Sequence, residues 1–144
     1  MRRLALTALL LVGGVLGGCG AGAGREALQD AVRTFNSQVR WARWGGAAQF
    51  VAPDLRAEWL ASRTAHGSAL RITDLQVHQV NLEGDGTEAT VMVGINWYML
   101  PTMNVQFTAW KQSWKLLEGH WTMTEEVPVK ADAPKPEVPV QAWP

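Results

Sequence analysis

The sequence predicts an α+β domain, three N-terminal helices packed on a curved four-stranded antiparallel sheet, and three observations carry that prediction. An apolar stripe at spacings of three and four runs through the first third of the domain. From Leu70 onward the period changes to two. Glycine-rich or proline-marked turns then separate four runs of that alternating kind, as an antiparallel meander requires.

Residues 1 to 18 are set aside from the fold. Arg2 and Arg3 precede an uncharged apolar stretch, Leu4 to Leu16, followed by small residues. That is the layout of a secretory signal peptide, and the run is shorter than the about 20 residues of a bilayer span. Residues 19 to 24 are the only cysteine, Cys19, and a Gly/Ala run that reads as a flexible tether. At the other end, residues 128 to 144 hold Pro128, Pro134, Pro136, Pro139 and Pro144. That density is incompatible with helix or central strand and predicts an extended, disordered tail. The globular part is residues 25 to 127.

Within it, Leu28, Val32, Phe35, Val39 and Ala42 predict a helix from Arg25 to Trp44, broken by Gly45-Gly46. A second, short helix spans "AAQFVA" and stops before Pro53. The third is "PDLRAEWLASR", with Pro53 at its first turn and Leu55, Trp59 and Leu60 on one face. "ALRITDLQVHQVNLE" is a long strand with a bulge near Asp74, where the alternation slips. A hairpin at Glu83 to Thr87 leads into "EATVMVGINWYML", whose Val91, Val93, Ile95, Trp97 and Met99 share one face. After a loop at Pro101-Thr102, "NVQFTAWKQSWKLL" turns at Glu118-Gly119 and returns as "HWTMTEEV".

Charge and cysteine usage exclude several classes of function. Basic and acidic residues number 13 each, and removing Arg2 and Arg3 with the signal leaves a small acidic excess. This carries no electrostatic footprint for nucleic acid. A single cysteine permits no intramolecular disulfide. The three histidines are spread along the chain, the nearest pair being His66 and His78, so a metal centre is not expected. No phosphate loop, serine elbow or paired catalytic carboxylates occur, and Glu125-Glu126 read as a solvated strand end. No cofactor is expected.

The candidate chemistry is therefore sparse. Tyr98, the only tyrosine, stands with Asp30, Asp74, His66, His78 and His120 as the pool from which an acid-base pair would be drawn, and nothing in their spacing groups them. The eight tryptophans have two readings. They fill a small core with large side chains, or Trp110 and Trp114, which share strand parity with Gln106 and Gln112, line a wet groove or partner face. Met99, Leu100 and Met103 around Pro101 are apolar where a hairpin tip is ordinarily polar. They form either a contact patch or a lid. Arg33, Arg40 and Arg43 are read as paired with carboxylates such as Asp30 and Asp54 rather than as a lipid-binding edge.

Leu16-Gly17-Gly18-Cys19 resembles the lipobox of bacterial lipoproteins. The resemblance implies a diacylglycerol on the Cys19 sulfur, cleavage before it and acylation of the new amino terminus. Multiple acyl chains make such an anchor permanent in practice. Gly20, where inner-membrane retention uses Asp, implies the outer membrane, with the domain in the periplasm. Three helices and a four-stranded sheet, with "VRWARWGGAAQFVAPDLRAEWL" and "WKQSWKLLEGHWTM", resemble the nuclear transport factor 2-like superfamily, also described as SnoaL-like or cystatin-like. That resemblance implies a cone closed between helices and sheet. The fold hosts enzymes, carriers and interaction modules, so activity has to come from the site. The expectation is a lipid-anchored envelope protein acting as a non-catalytic module for an envelope protein partner or a small apolar ligand, with Tyr98, Leu100, Met103, Trp110 and Trp114 as candidate contacts. The alternative is an isomerase- or dehydratase-like enzyme using Tyr98 with Asp30 or His78 on a small apolar substrate.

Overall fold

A computed structural model describes residues 20 to 129. The expected signal peptide over residues 1 to 18, Cys19 and the proline-rich tail beyond Val129 lie outside the described residues. The elements are α1 (Gly20–Arg40), α2 (Trp44–Ala48), α3 (Pro53–Thr64), a 3-10 turn (Gly67–Ala69), β1 (Leu70–Glu83), β2 (Glu88–Met99), β3 (Gln106–Leu117) and β4 (His120–Pro128). The four strands form one antiparallel sheet in chain order. The α+β class, three helices followed by a four-stranded meander, is as the sequence predicts.

Helix α1 lies across one face of the sheet, burying Leu28, Val32, Phe35 and Val39. Its two ends are tied to opposite ends of the sheet. Trp121 Nε1, at the start of β4, donates to Gly24 O at 3.2 Å. The Arg40 guanidinium donates to Ile72 O and Thr73 O at the start of β1. Arg40 is thus bound to backbone carbonyls, while Arg33 pairs with Asp30 as expected.

Two boundaries differ from the sequence reading. Gly20 to Gly24, read as a tether, form the first turn of α1. The helix is extended there by a bond from a residue 97 positions away, which no local glycine rule detects. Gly45-Gly46 do not end α1; they lie within α2. The helix stops earlier because Ala42 takes a left-handed φ of 52°. Ala42 N–H then bonds Val39 O at 2.9 Å and Arg43 N–H bonds Gln38 O at 2.8 Å, the two bonds of a Schellman cap.

The sheet alternates as its sequence does. Val91, Val93 and Ile95 of β2 are buried under the helices. The register of β1 slips at Thr73, next to the bulge expected near Asp74, and slips again at His78. The β1–β2 turn uses positive φ at Gly84 and Gly86. Within it, Asp85 accepts from the hydroxyl and backbone N–H of Thr87, which holds its carboxyl below the usual range. A depressed carboxyl pKa stabilises the folded state above the ordinary Asp range, and that contribution is lost as pH falls through the folded value.

The outer edge of β4 is covered at its middle. Val51 bridges Met123, with Met123 N–H to Phe50 O at 2.7 Å and Ala52 N–H to Met123 O at 2.9 Å. This docks the α2–α3 connection and satisfies edge groups that would otherwise face solvent. Strand β4 continues through Pro128, tolerated because β4 is an edge strand.

Candidate functional site

Between the helices and the inner face of the sheet lies a cavity of about 230 Å³. Strand alternation builds one wall. Ile95, Trp97 and Met99 of β2 point inward, beside Thr108 and Trp110 of β3 and Leu70 and Ile72 of β1. The helices supply Val39, Trp44 and Arg63, and the turn after α3 supplies His66. Three indoles and an aliphatic surface therefore enclose the space, and exposed His66 marks its mouth.

A buried polar network stands behind this wall. The register slip opposite Ser113 makes Thr124 a bulge residue, so Glu125 meets Ser113 on the outer face and Glu126 meets Gln112 on the inner one. The Glu126 carboxylate, with its side chain 5% exposed, pairs with Arg63 of α3. Glu126 Oε2 also accepts from Trp59 Nε1 at 2.9 Å, and Oε1 accepts from Gln112 Nε2 at 3.1 Å. Gln112 in turn accepts from Trp114 Nε1 and donates to Asn36 Oδ1 of α1. One carboxylate thus joins α3, β3 and, through Gln112, α1.

Arg63 lies between two indoles, its guanidinium carbon 4.7 Å from the Trp110 ring centroid and 5.4 Å from that of Trp59. Planar cations stack on aromatic faces in this way. Its Nε is buried without a hydrogen-bond partner, alone in this among the side-chain atoms of the described residues. The sequence reading of Glu126 as a solvated strand end is corrected: the Thr124 bulge reverses the parity on which it depended.

The predicted contact residues separate into three environments. Trp110 lines the cavity. Trp114, 1% exposed, is a core residue packed edge-on against Phe35 at 5.5 Å, so it cannot be a surface contact. Gln112, which had suggested a wet face, is buried and spent on the network. Leu100 (41% exposed) and Met103 (62%) stand at the β2–β3 tip, and Val105 and Phe107, which follow in the chain, are exposed as well. Tyr98 alternates with Trp97 and Met99 and so points to the outer face.

The partners considered for Tyr98 do not join it. Asp30 is exposed on α1 and paired with Arg33. His78 sits on the outer face, where a Cβ built on Gly94 would come within 2.4 Å of its Nε2 and 2.9 Å of Phe107 Cε2. Glycine at position 94 is what lets those two rings approach the strand. Among the described residues no three His, Cys, Asp or Glu side chains gather as a metal site, and no helix is long and apolar enough to cross a membrane. Sequence reasoning missed Trp44, Arg63, Thr108 and Glu126 as parts of the site, and of its acid-base pool only His66 lines the cavity. For Arg63 a signal existed, since it follows Trp59 by one helical turn on the same face.

Comparison with known proteins extends to fold. No family model matches the chain, and no curated protein matches it. Solved structures do. A putative Ca/calmodulin-dependent kinase II association domain from Exiguobacterium sibiricum superposes with a TM-score of 0.60 at 11% identity, over 78% of this chain and 98% of that one. An NTF-2 like protein of unknown function from Shewanella oneidensis gives 0.57 at 8% identity, over 74% and 98%. A ketosteroid isomerase-like protein from Erwinia carotovora atroseptica gives 0.57 at 10% identity, over 73% and 95%. At these identities the likeness is one of fold.

Proposed function

We propose that the protein is a lipid-anchored envelope protein whose nuclear transport factor 2-like domain binds a small apolar ligand in its cone without transforming it. The observation that supports this reading is the wall of the cavity, indoles and aliphatic side chains with Arg63 already paired to Glu126. Of the acid-base candidates only His66 lines the cavity, alone at its exposed mouth, whereas Tyr98, Asp30 and His78 point elsewhere, so no acid-base pair faces the space. Saturation with a fitting ligand stabilises the folded state by about 2.7 kcal/mol at a hundredfold excess over Kd. Thermal unfolding with and without small neutral aromatic compounds is the test. The expected result is a rise in Tm that Ile72→Trp, which fills the space, removes. An equal rise in that variant would place binding outside the cone.

The anchor is the second part of the proposal and rests on the lipobox-like Leu16 to Cys19. Cys19→Ser should abolish lipid labelling and leave an uncleaved precursor. Normal processing and membrane retention of that variant would remove the basis for the envelope location.

A protein-contact reading is favoured by one observation, the exposed Leu100, Met103 and Val105 at the β2–β3 tip. Helix α1 is about 30 Å long by its rise per residue. The tip lies at the end of the sheet away from Gly24 and Trp121. Leu100→Ser with Met103→Ser should change stability by no more than about 0.5 kcal/mol, since both are exposed. Envelope pull-down with the same double variant tests the contact. Loss of several kcal/mol would show the tip to be core, and unchanged pull-down would show it to be idle.

A further inference from the structure

The side chains that line the cone have an asymmetry beyond their apolarity: nearly every polar group among them is a donor. Arg63 has no acceptor atom. The indole N–H groups of Trp44 and Trp110 make no hydrogen bond among the described residues and are not buried, whereas Trp97 Nε1 donates to Thr108 Oγ1 at 3.0 Å. That last bond has a directional consequence. With a lone pair of Thr108 Oγ1 occupied by the Trp97 proton, the hydroxyl is oriented, and its own hydrogen has no acceptor among the described residues. No carboxylate or carboxamide lines the cavity, and His66, the one effective acceptor, stands at the exposed mouth.

Arg63, which lines the cavity, holds the one buried side-chain donor without a partner among the described residues, its Nε, and an unpaired buried donor costs more than a satisfied one contributes, so the site favours ligands that bring an acceptor. The acceptor should be neutral. Arg63, the cavity's cation, is already balanced by Glu126, so a ligand carboxylate would enter an apolar space as an uncompensated charge. Size narrows the class further. At about 230 Å³ the cavity falls below the about 300–1,000 Å³ of sites for drug-sized ligands, and its flat indole walls suit one ring rather than several.

We propose that the cone takes a small, neutral, single-ring or similarly flat apolar molecule bearing one carbonyl-type oxygen, and that the Thr108 hydroxyl, held by Trp97, donates the hydrogen bond that selects it. This deepens the ligand-binding reading above and rests on it. Thr108 is then a specificity residue that no sequence motif marks.

Three probes of nearly one shape separate the terms: ethylbenzene, acetophenone and benzoate, titrated into the full-length protein and followed by the indole N–H resonances of Trp97 and Trp110. Acetophenone is expected to bind about fivefold more tightly than ethylbenzene, the worth of one net hydrogen bond, and benzoate more weakly than acetophenone. Thr108→Val should erase the preference for acetophenone over ethylbenzene, and Thr108→Ser, which keeps the hydroxyl, should restore it. Binding of acetophenone and ethylbenzene with equal affinity, or a preference that survives Thr108→Val, would overturn this inference and leave the apolar cavity reading standing. Tighter binding of benzoate would overturn the neutral-acceptor argument. Binding of none of the three would overturn both readings together.

Discussion

Glu126→Ala should destabilise the domain by about 3–5 kcal/mol, the range for removing one partner of a buried ion pair. The variant would leave Arg63 charged and unpaired in a site where its side chain is 19% exposed, and would strip the acceptor from Trp59 Nε1 and one of the two from Gln112 Nε2. Chemical denaturation of wild type and variant measures the loss. Glu126→Gln should cost less, because the amide oxygen still accepts one of those bonds. The double variant Arg63→Met with Glu126→Leu should recover most of the stability, since replacing a buried pair by apolar side chains is often neutral. If Glu126→Ala lost less than about 1 kcal/mol, the effect would be of the size measured at exposed pairs. The network would then not be what holds α3 to the sheet.

Phe35→Ala is expected to have the second large effect, about 3–5 kcal/mol, as for other buried Phe truncations. Phe35 is fully buried on the inner face of α1, and its ring meets three others, Trp114 at 5.5 Å, Trp59 at 5.7 Å and Phe50 at 6.4 Å. These rings belong to β3, α3 and the connection that covers β4. Loss of Phe35 therefore opens a void where all of those elements converge. Phe35→Leu, which keeps most of the volume, should cost less than half as much. Equal losses for the two variants would point to a ring-specific interaction instead of volume.

The contrast between these two residues shows what was legible in the sequence. Phe35 belongs to the stripe Leu28, Val32, Phe35, Val39 and Ala42, of which the first four are buried and Ala42, past the end of the helix, is exposed. A 3.6-residue period reports burial directly, because helix geometry has little freedom in phase. The inner row of β2 was legible for the same reason, as an uninterrupted strand has a period of two. Glu126 was not. Its orientation depends on one extra residue, Thr124, and a bulge inverts every side chain beyond it. Two adjacent glutamates fit either parity, so the pattern held nothing to choose between them.

The same reasoning separates Trp110 from Trp114. Both face inward on β3, but strand parity says nothing about how far along a strand the helices reach. Helix α1 covers Trp114, and the cavity opens at Trp110. The tip residues Leu100 and Met103 were legible as misplaced apolar side chains. Val105 and Phe107 were not, because at the start of a strand an exposed Val or Phe reads as ordinary alternation.

Localising a bound probe tests the central claim, that the cone and not the outer surface is the binding site. In a complex with acetophenone, proton-proton nuclear Overhauser contacts should connect the probe to the indole rings of Trp97 and Trp110 and to the Thr108 methyl group, with none to Leu100, Met103 or Phe107. Contacts to the β2–β3 tip without contacts to Trp97 and Trp110 would contradict the account.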